Sequence, residues 1–132
     1  IIPIQKMFFR RREKTASPDT PPARAYLPEI EDQETLDTVL ASERAILYKH
    51  STRCVVSSWS FREVRNFAAD HPEWPVYVLK VIEERALSNQ VADRLGIQHQ
   101  SPQAFVIRNG EVVWDGSHND VSADVLVRQI QA

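Results

Sequence analysis

The chain has 132 residues, of which 42% are hydrophobic and 26% are charged, and its formal net charge is −2. A chain of this length and composition folds as one compact domain that buries its own core, which argues against a second domain. The near-neutral total charge gives no support for nucleic-acid binding, and no apolar run approaches the roughly 20 residues that span a bilayer.

Residues 1–24 differ in composition from the rest of the chain. They carry six basic and two acidic residues together with Pro18, Pro21 and Pro22, and they show no sustained periodicity. We expect a flexible, basic and proline-rich arm ahead of a folded domain at residues 25–132. The alternative is a weak electrostatic contact of the basic cluster with an acidic partner or a membrane surface.

The first part of this domain predicts a helix and a central strand. The segment AYLPEI, residues 25–30, could form a short edge strand, because Pro28 fits only the rim of a sheet. Asp32 is a candidate N-cap for an amphipathic helix over residues 33–42. The mostly apolar run AILYKH, residues 45–50, predicts a strand that is buried on both faces.

Helices and strands continue to alternate after this strand. Apolar spacing predicts a helix over residues 57–70, and the β-branched run VYVLKV at 76–81 predicts a second buried strand. Ser88 could cap a third helix, and Gly96 stands just past the predicted end of that helix.

The last part of the chain predicts a hairpin followed by a helix. Asn109 and Gly110 lie between two β-rich runs, which is a strong signal for a tight hairpin, and apolar spacing from Val121 onward predicts a C-terminal helix. Strands separated by helices favour parallel pairing, whereas a hairpin is antiparallel. We therefore predict an α/β three-layer sandwich with a mixed central sheet flanked by helices, which is the arrangement of the thioredoxin fold.

Cys54 is the only cysteine, so it cannot form an internal disulfide or take part in a zinc site with two or more cysteines. A lone cysteine is typical of a reducing compartment. The N-terminal residues also lack the pattern of a secretory signal, because their basic cluster follows the apolar part. We therefore expect a cytoplasmic protein that acts on neither membranes nor nucleic acid.

The position of Cys54 suggests a reactive thiol. It follows the carboxyl end of the predicted central strand, where ligands of open α/β sheets bind, and it precedes a helix whose unpaired N–H groups favour a thiolate. Arg53 adds a positive charge beside it. We therefore expect a nucleophile with a depressed pKa. The alternative is a small buried hydrophobic residue, which the polar neighbours Ser51, Thr52 and Ser57 fit poorly.

Two further elements could complete the site. Ser57 stands three residues after Cys54, where a dithiol oxidoreductase has its second cysteine, and its hydroxyl could donate to the thiolate or cap the helix. Ser101-Pro102 lies directly before a predicted strand. In thioredoxin-like folds a proline there is cis and faces the cysteine, so that the backbone of Ser101 could pair with a bound peptide or thiol. The alternative is an ordinary trans turn.

Three segments carry a more specific resemblance, which runs from about Leu27 to the C-terminus. Together they resemble the monothiol bacilliredoxins of the YtxJ type, a thioredoxin-like family. The most specific parts are K-H-S-T-R-C-x-x-S at 49–57, H-x-S-P-Q at 99–103 and S-H at 117–118, within the segments YKHSTRCVVSS, VIEERALSNQVADRLGIQHQSPQAFVIRNGEVVW and GSHNDVS.

The resemblance implies a thiol-disulfide oxidoreductase that removes bacillithiol from protein mixed disulfides. Cys54 would attack the mixed disulfide and would be freed by a second low-molecular-weight thiol. The partners would be S-bacillithiolated proteins and that thiol, with bacillithiol as co-substrate and no permanently bound cofactor. The histidine spacings match no standard zinc pattern, so we expect no metal. The supporting or thiol-binding residues would be Thr52, Arg53, Ser57, His99, Ser101, Pro102 and His118.

Two positions depart from the family pattern. Val55 stands where the family has Pro or another small residue, and Lys80 stands where it has an acidic residue. Lys80 removes a candidate proton acceptor, and if it were buried near the site it would favour the thiolate. Arg85 is a further candidate for pairing with a carboxylate, or is a solvated surface charge.

Two other functions stay open at this point. One is the same exchange with glutathione or coenzyme A, which are also anionic thiols. The other is a thioredoxin-like binding module without catalysis, in which Cys54 is incidental.

Overall fold

The computed structural model describes residues 27–132. The predicted arm at 1–24 lies outside the described residues, so the arm and the domain boundary stay predictions. The described elements are α1 (Gln33–Leu40), β1 (Arg44–His50), α2 (Val55–Asp70), β2 (Val76–Lys80), α3 (Arg85–Leu95), β3 (Gln103–Arg108), β4 (Glu111–Ser117), a short 3-10 helix (His118–Asp120) and α4 (Ala123–Gln131).

A four-stranded mixed sheet in the order β2-β1-β3-β4 forms the middle layer. β1 pairs in parallel with β2 and antiparallel with β3, and β4 pairs antiparallel with β3. β1 is therefore an interior strand, as its apolar run predicts, and six of its seven residues are buried. As expected, a helix joins the parallel strands β1 and β2, and a hairpin joins the antiparallel strands β3 and β4. The direction of β3 was not expected from the connections, since β3 runs antiparallel to β1 although a helix, α3, precedes it.

Helices cover both faces of this sheet, which confirms the predicted three-layer α/β sandwich. α1 and α3 pack on one face, where their apolar side chains share a buried cluster with Leu47 and Phe105. α2 and α4 pack on the other face, around Ile46 and Val106. Successive strand side chains point to opposite faces, so each central strand contributes to both cores.

Local sequence signals fix several element ends. The Asp32 side chain accepts a hydrogen bond from the Thr35 N–H at 2.8 Å and caps α1, as predicted. Gly96 follows α3 with a left-handed backbone, at φ 65°. Asn109 and Gly110 have φ values of 52° and 78°, which is the backbone of a tight hairpin turn between β3 and β4.

Three expectations about the ends of elements are corrected. Ser88 does not cap α3: the helix begins at Arg85, and Ser88 is buried inside it, 2% exposed. α2 begins at Val55, two residues before the predicted start. The predicted edge strand at 25–30 is reduced, within the described residues, to a single bridge between Glu29 and Val78 beside β2. A proline beside this bridge prevents longer pairing because it has no N–H to donate.

None of the helices in residues 27–132 has the length and apolar character that a bilayer crossing requires.

Candidate active site

The predicted site residues lie along one edge of the sheet. Lys49 near the end of β1 faces Gln103 at the start of β3, and Gln103 in turn faces Ser117 at the end of β4. Cys54 follows β1 by four residues, and Ser101-Pro102 directly precedes β3. The strand pairing therefore brings together three segments that are far apart in the sequence.

Cys54 is the N-cap residue of α2 and is partly buried. Its backbone is extended, with φ −113° and ψ 127°, and its carbonyl accepts the first helical hydrogen bond from the Ser58 N–H at 3.1 Å. This geometry places the sulfur beside the unpaired N–H groups of the first helical turn. The strand-to-helix junction that the sequence predicts for Cys54 is thus present.

These N–H groups polarise the thiol. In its neutral form the thiol is too loosely placed to count as a hydrogen-bonded cap. The Ser57 N–H first, and then the Ser57 hydroxyl and the Val56 N–H, nevertheless favour the charged sulfur and lower the pKa of Cys54, while burial opposes the shift. The Arg53 side chain is exposed and is not among the causes of the lowered pKa. The hydrogen-bond donors at the helix start are therefore the main cause of the lowered pKa of Cys54, and a contribution of the Arg53 charge stays a prediction.

Ser57 is fully buried in the first turn of α2 and is not the cap of this helix. Its hydroxyl oxygen accepts a hydrogen bond from the Ser51 N–H at 3.3 Å, and its hydroxyl proton favours the Cys54 thiolate. Ser57, which stands where a dithiol oxidoreductase has its second cysteine, thus interacts both with the loop before the helix and with the Cys54 sulfur.

We expect Ser57→Ala to raise the pKa of Cys54, because one donor to the thiolate is lost while the backbone donors remain. The rate of iodoacetamide alkylation, measured between pH 5 and pH 10, reports the fraction of thiolate and hence this pKa. Ser58→Ala is the matched control, since the exposed Ser58 hydroxyl donates only to the Cys54 carbonyl. A midpoint that stays unchanged in Ser57→Ala would show that the hydroxyl does not act on the sulfur.

A buried pair beneath the first turn of α2 was not identified from the sequence. The Tyr48 hydroxyl donates to the Ser57 carbonyl at 3.0 Å and lies 3.1 Å from His50 Nδ1. Its single proton is used on Ser57, so His50 Nδ1 carries a proton and donates to Tyr48. Burial and then the Lys80 charge lower the pKa of His50, which keeps its ring neutral. Burial, followed by the negative charge of Cys54, raises the pKa of Tyr48.

Ser101-Pro102 has the cis peptide bond that the sequence led us to expect. The carbonyl of Pro102 accepts a hydrogen bond from the His118 N–H at 2.9 Å, so the end of β4 is tied to this turn. His118 has an exposed side chain and a left-handed backbone, at φ 56°, which is unfavourable for a non-glycine residue. The Ser101 hydroxyl oxygen is buried and has no hydrogen-bond partner within residues 27–132.

The loop before Cys54 and the outer face of α2 are open to solvent. Thr52 and Arg53 are exposed, and the Thr52 hydroxyl lies 3.5 Å from Glu83 Oε2. Val55, one of the departures from the family pattern, is 86% exposed, and Trp59 one turn later is 40% exposed. Among residues 27–132, the residues next to Cys54 on either side in the sequence are thus solvent-exposed.

His99 contacts a residue that the sequence analysis did not single out. Its Nδ1 lies 3.1 Å from Nζ of Lys49 and 3.4 Å from the Ser88 hydroxyl. Lys49 is fully buried, and burial lowers the pKa of Lys49 to about 8. Burial, then the charges of Lys49 and Arg85, lower the pKa of His99. A strand buried on both faces has no exposed position, so a lysine within the predicted buried strand must itself be buried. A charged residue in such a strand could have identified Lys49 from the sequence.

Lys80, the second departure from the family pattern, is not a buried cation. Its Nζ lies 3.1 Å from Glu29 Oε2, and the two side chains are 35% and 40% exposed. An exposed pair of this kind contributes little to stability. The charge of Lys80 acts on His50 rather than on Cys54.

The described residues 27–132 contain no group of three or more His, Cys, Asp or Glu side chains that could hold a metal ion.

Comparisons with known proteins agree with this geometry. Residues 28–126 match the family model described as monothiol bacilliredoxin BrxC. A structure described as a proposed oxidoreductase with a thioredoxin fold is 28% identical, with a TM-score of 0.72 over 77% of this chain and 91% of that one. Oxidised thioredoxin from Plasmodium falciparum is 16% identical, with a TM-score of 0.66 over 81% and 100%. Mitochondrial thioredoxin 3 from Saccharomyces cerevisiae is 10% identical, with a TM-score of 0.65 over 80% and 93%.

Proposed function

The chain belongs to the monothiol bacilliredoxin family of thioredoxin-fold thiol-disulfide oxidoreductases, and on this basis we propose that it removes bacillithiol from S-bacillithiolated proteins. The observation that carries the proposal is the position of Cys54. It is the only cysteine of the chain, it caps the start of α2, and hydrogen bonding lowers its pKa. A single thiolate of this kind is sufficient for exchange with a small thiol.

In the first step, the Cys54 thiolate attacks the bacillithiol sulfur of the mixed disulfide. The new bond joins Cys54 Sγ to bacillithiol, the old bond between bacillithiol and the target protein breaks, and the electron pair leaves with the protein sulfur as a thiolate. The target protein is thereby reduced and Cys54 is oxidised to a mixed disulfide. The lowered pKa serves this step because only the thiolate attacks.

In the second step, a low-molecular-weight thiol supplies the reducing equivalents. Its thiolate attacks the bacillithiol sulfur that is bound to Cys54, a disulfide forms between the two small molecules, and the Cys54 thiolate leaves. The helix start that favours the charged sulfur also makes it a good leaving group. Because the resolving thiol comes from solution, the serine at position 57 does not block the cycle.

Exposed donors along the same edge suit an anionic small thiol. Arg53 directly precedes the cysteine, Arg85 begins α3, His99 lies in the segment before β3, and His118 follows β4; all four side chains are exposed. Guanidinium and imidazole N–H groups bind carboxylates well. The open outer face of α2 leaves room for the protein half of the mixed disulfide.

Mass spectrometry of the protein isolated from its native cells tests which thiol it uses. We expect an adduct on Cys54 with the mass of one bacillithiol joined by a disulfide, removed by dithiothreitol and absent from Cys54→Ala. An adduct of glutathione or coenzyme A instead would keep the exchange chemistry and contradict the assignment of bacillithiol. A cysteine that carries no adduct and alkylates no faster than a free thiol would favour a non-catalytic binding module.

A further inference from the structure

Lys49 is a buried charge that the exchange chemistry does not use. Its side chain is fully buried on β1, and its Nζ donates to the Ser88 carbonyl of α3 at 3.0 Å and lies 6.0 Å from the centre of the Phe105 ring. Among residues 27–132 no carboxylate forms an ion pair with it. Burial of an ammonium without a counter-charge is strongly unfavourable, so its place at the site edge requires a reason other than stability.

The contact with His99 constrains that ring to one form. An ammonium group has only donors, so a hydrogen bond between Lys49 Nζ and His99 Nδ1 requires an unprotonated Nδ1. The neutral ring then carries its proton on Nε2. The hydroxyl of Ser88, 3.4 Å from Nδ1, is a second donor on the same side. Because the two ring nitrogens point in different directions and His99 is exposed, Nε2–H is directed away from the buried ammonium.

The surroundings of this N–H favour an anion. The charges of Lys49 and Arg85 both act on His99, and both are positive. Lys49 faces Gln103 across the strand pair, directly after the cis bond at Ser101-Pro102. A donor on a ring that contacts the Lys49 ammonium and is affected by the charge of Arg85, in the segment that leads to the cis bond, fits a carboxylate of the small thiol.

We propose that Lys49 is a positioning residue, whose buried ammonium holds neutral His99 with its Nε2–H directed outward to bind a carboxylate of the low-molecular-weight thiol. This inference rests on the proposed function for its ligand. The pairing of Lys49 with His99 is independent of that function and can be measured in the protein alone.

Nuclear magnetic resonance of ¹⁵N-labelled protein tests the pairing first. In the wild type at pH 7 we expect a neutral His99 protonated at Nε2. In Lys49→Met, we expect mixed tautomers and a higher pKa for His99, because a neighbouring positive charge is lost. Lys80→Met is the matched control, because Lys80 lies at the end of the neighbouring strand β2 and its charge acts on His50. A wild-type His99 that is protonated at Nδ1 overturns the proposal, as does an unchanged spectrum in Lys49→Met.

Steady-state kinetics then test recognition of the carboxylate. The substrates are one model protein carrying either bacillithiol or uncharged 2-mercaptoethanol as the mixed disulfide. For the bacillithiol substrate we expect Lys49→Met to raise KM about tenfold with kcat little changed, the size of a lost hydrogen bond to a charged group. For the uncharged substrate KM should stay the same. An equal effect on both substrates overturns the proposal.

A double-mutant cycle separates positioning from general damage. Lys49→Met should raise KM no further in a His99→Ala background, because Lys49 acts through His99. If Lys49→Met does not fold, the proposal is tested by the tautomer of His99 in the wild type and by the KM of His99→Ala for the two substrates. The exposed His99 side chain can be removed without opening the core. If the wild type fails to release bacillithiol while His99 has the expected tautomer, the proposed function fails and the pairing stands.

Discussion

In the presence of a low-molecular-weight thiol, Cys54→Ala is expected to release bacillithiol from a model mixed disulfide no faster than that thiol does without the protein. Every step of the proposed cycle passes through the Cys54 sulfur, and the chain has no other cysteine to replace it. We expect a loss of at least about 10²-fold in the enzymatic rate, on the scale of removing one catalytic group. Release can be followed by mass spectrometry of the intact model protein under excess low-molecular-weight thiol.

The fold of this variant should be preserved. Cys54 is partly exposed and makes no capping hydrogen bond through its side chain, so the free energy of unfolding should change by less than about 0.5 kcal/mol. Ser58→Ala serves as the activity control, because it removes a neighbouring exposed hydroxyl from the same helical turn. Equal release by wild type and Cys54→Ala would contradict the catalytic role of this cysteine.

Phe105→Ala is expected to cause the largest loss of stability, about 3–5 kcal/mol. Phe105 is fully buried on the interior strand β3, within the core that α1 and α3 cover. Truncation of this side chain leaves a cavity in that core and removes the cation–π contact between the Phe105 ring and the Lys49 ammonium. Because small domains are stable by only about 5–15 kcal/mol in total, the variant should unfold at much lower urea concentrations.

Urea denaturation followed by circular dichroism measures this loss. Val113→Ala is the control in the same sheet, since Val113 lies on edge strand β4 and is 50% exposed. We expect it to cost less than about 1 kcal/mol. If the two variants lost equal stability, the core around Phe105 would contribute less than its burial implies.

The order of elements could be predicted from local patterns. Apolar spacing in α2, the short run before Lys49, and Asn109-Gly110 each reported on the backbone of their own segment, and the structure confirms them. The parallel pairing of β1 with β2 across α2 and the antiparallel β3–β4 hairpin followed as well. The antiparallel pairing of β3 with β1 did not, because a helix, α3, also connects β2 to β3. The wrong predictions concern the ends of elements. Ser88 is a residue type that often caps helices, but tertiary packing buries it inside α3 instead.

The electrostatics of the site could be predicted only in part. The position of Cys54 before a helix follows from the sequence, and so does a lowered pKa. The cause of the lowered pKa does not follow from the sequence. Arg53 is adjacent in the sequence but its side chain is exposed to solvent, whereas the Ser57 and Val56 donors act on the sulfur. Distance through space determines an interaction between charges, and solvent screens an exposed one.

The sequence by itself determined the succession of helices and strands, the single thiol at a strand-to-helix junction, and the lack of a second cysteine to resolve it. Only the tertiary structure decided which contacts form at this end of β1: the Tyr48 hydroxyl beneath the first turn of α2, and, on the opposite face of the sheet, the contact of buried Lys49 with His99. The first set depends on residues that are close in the chain. The second depends on which helix covers each face of an interior strand, and residues 50 positions apart meet there only once the sheet has formed.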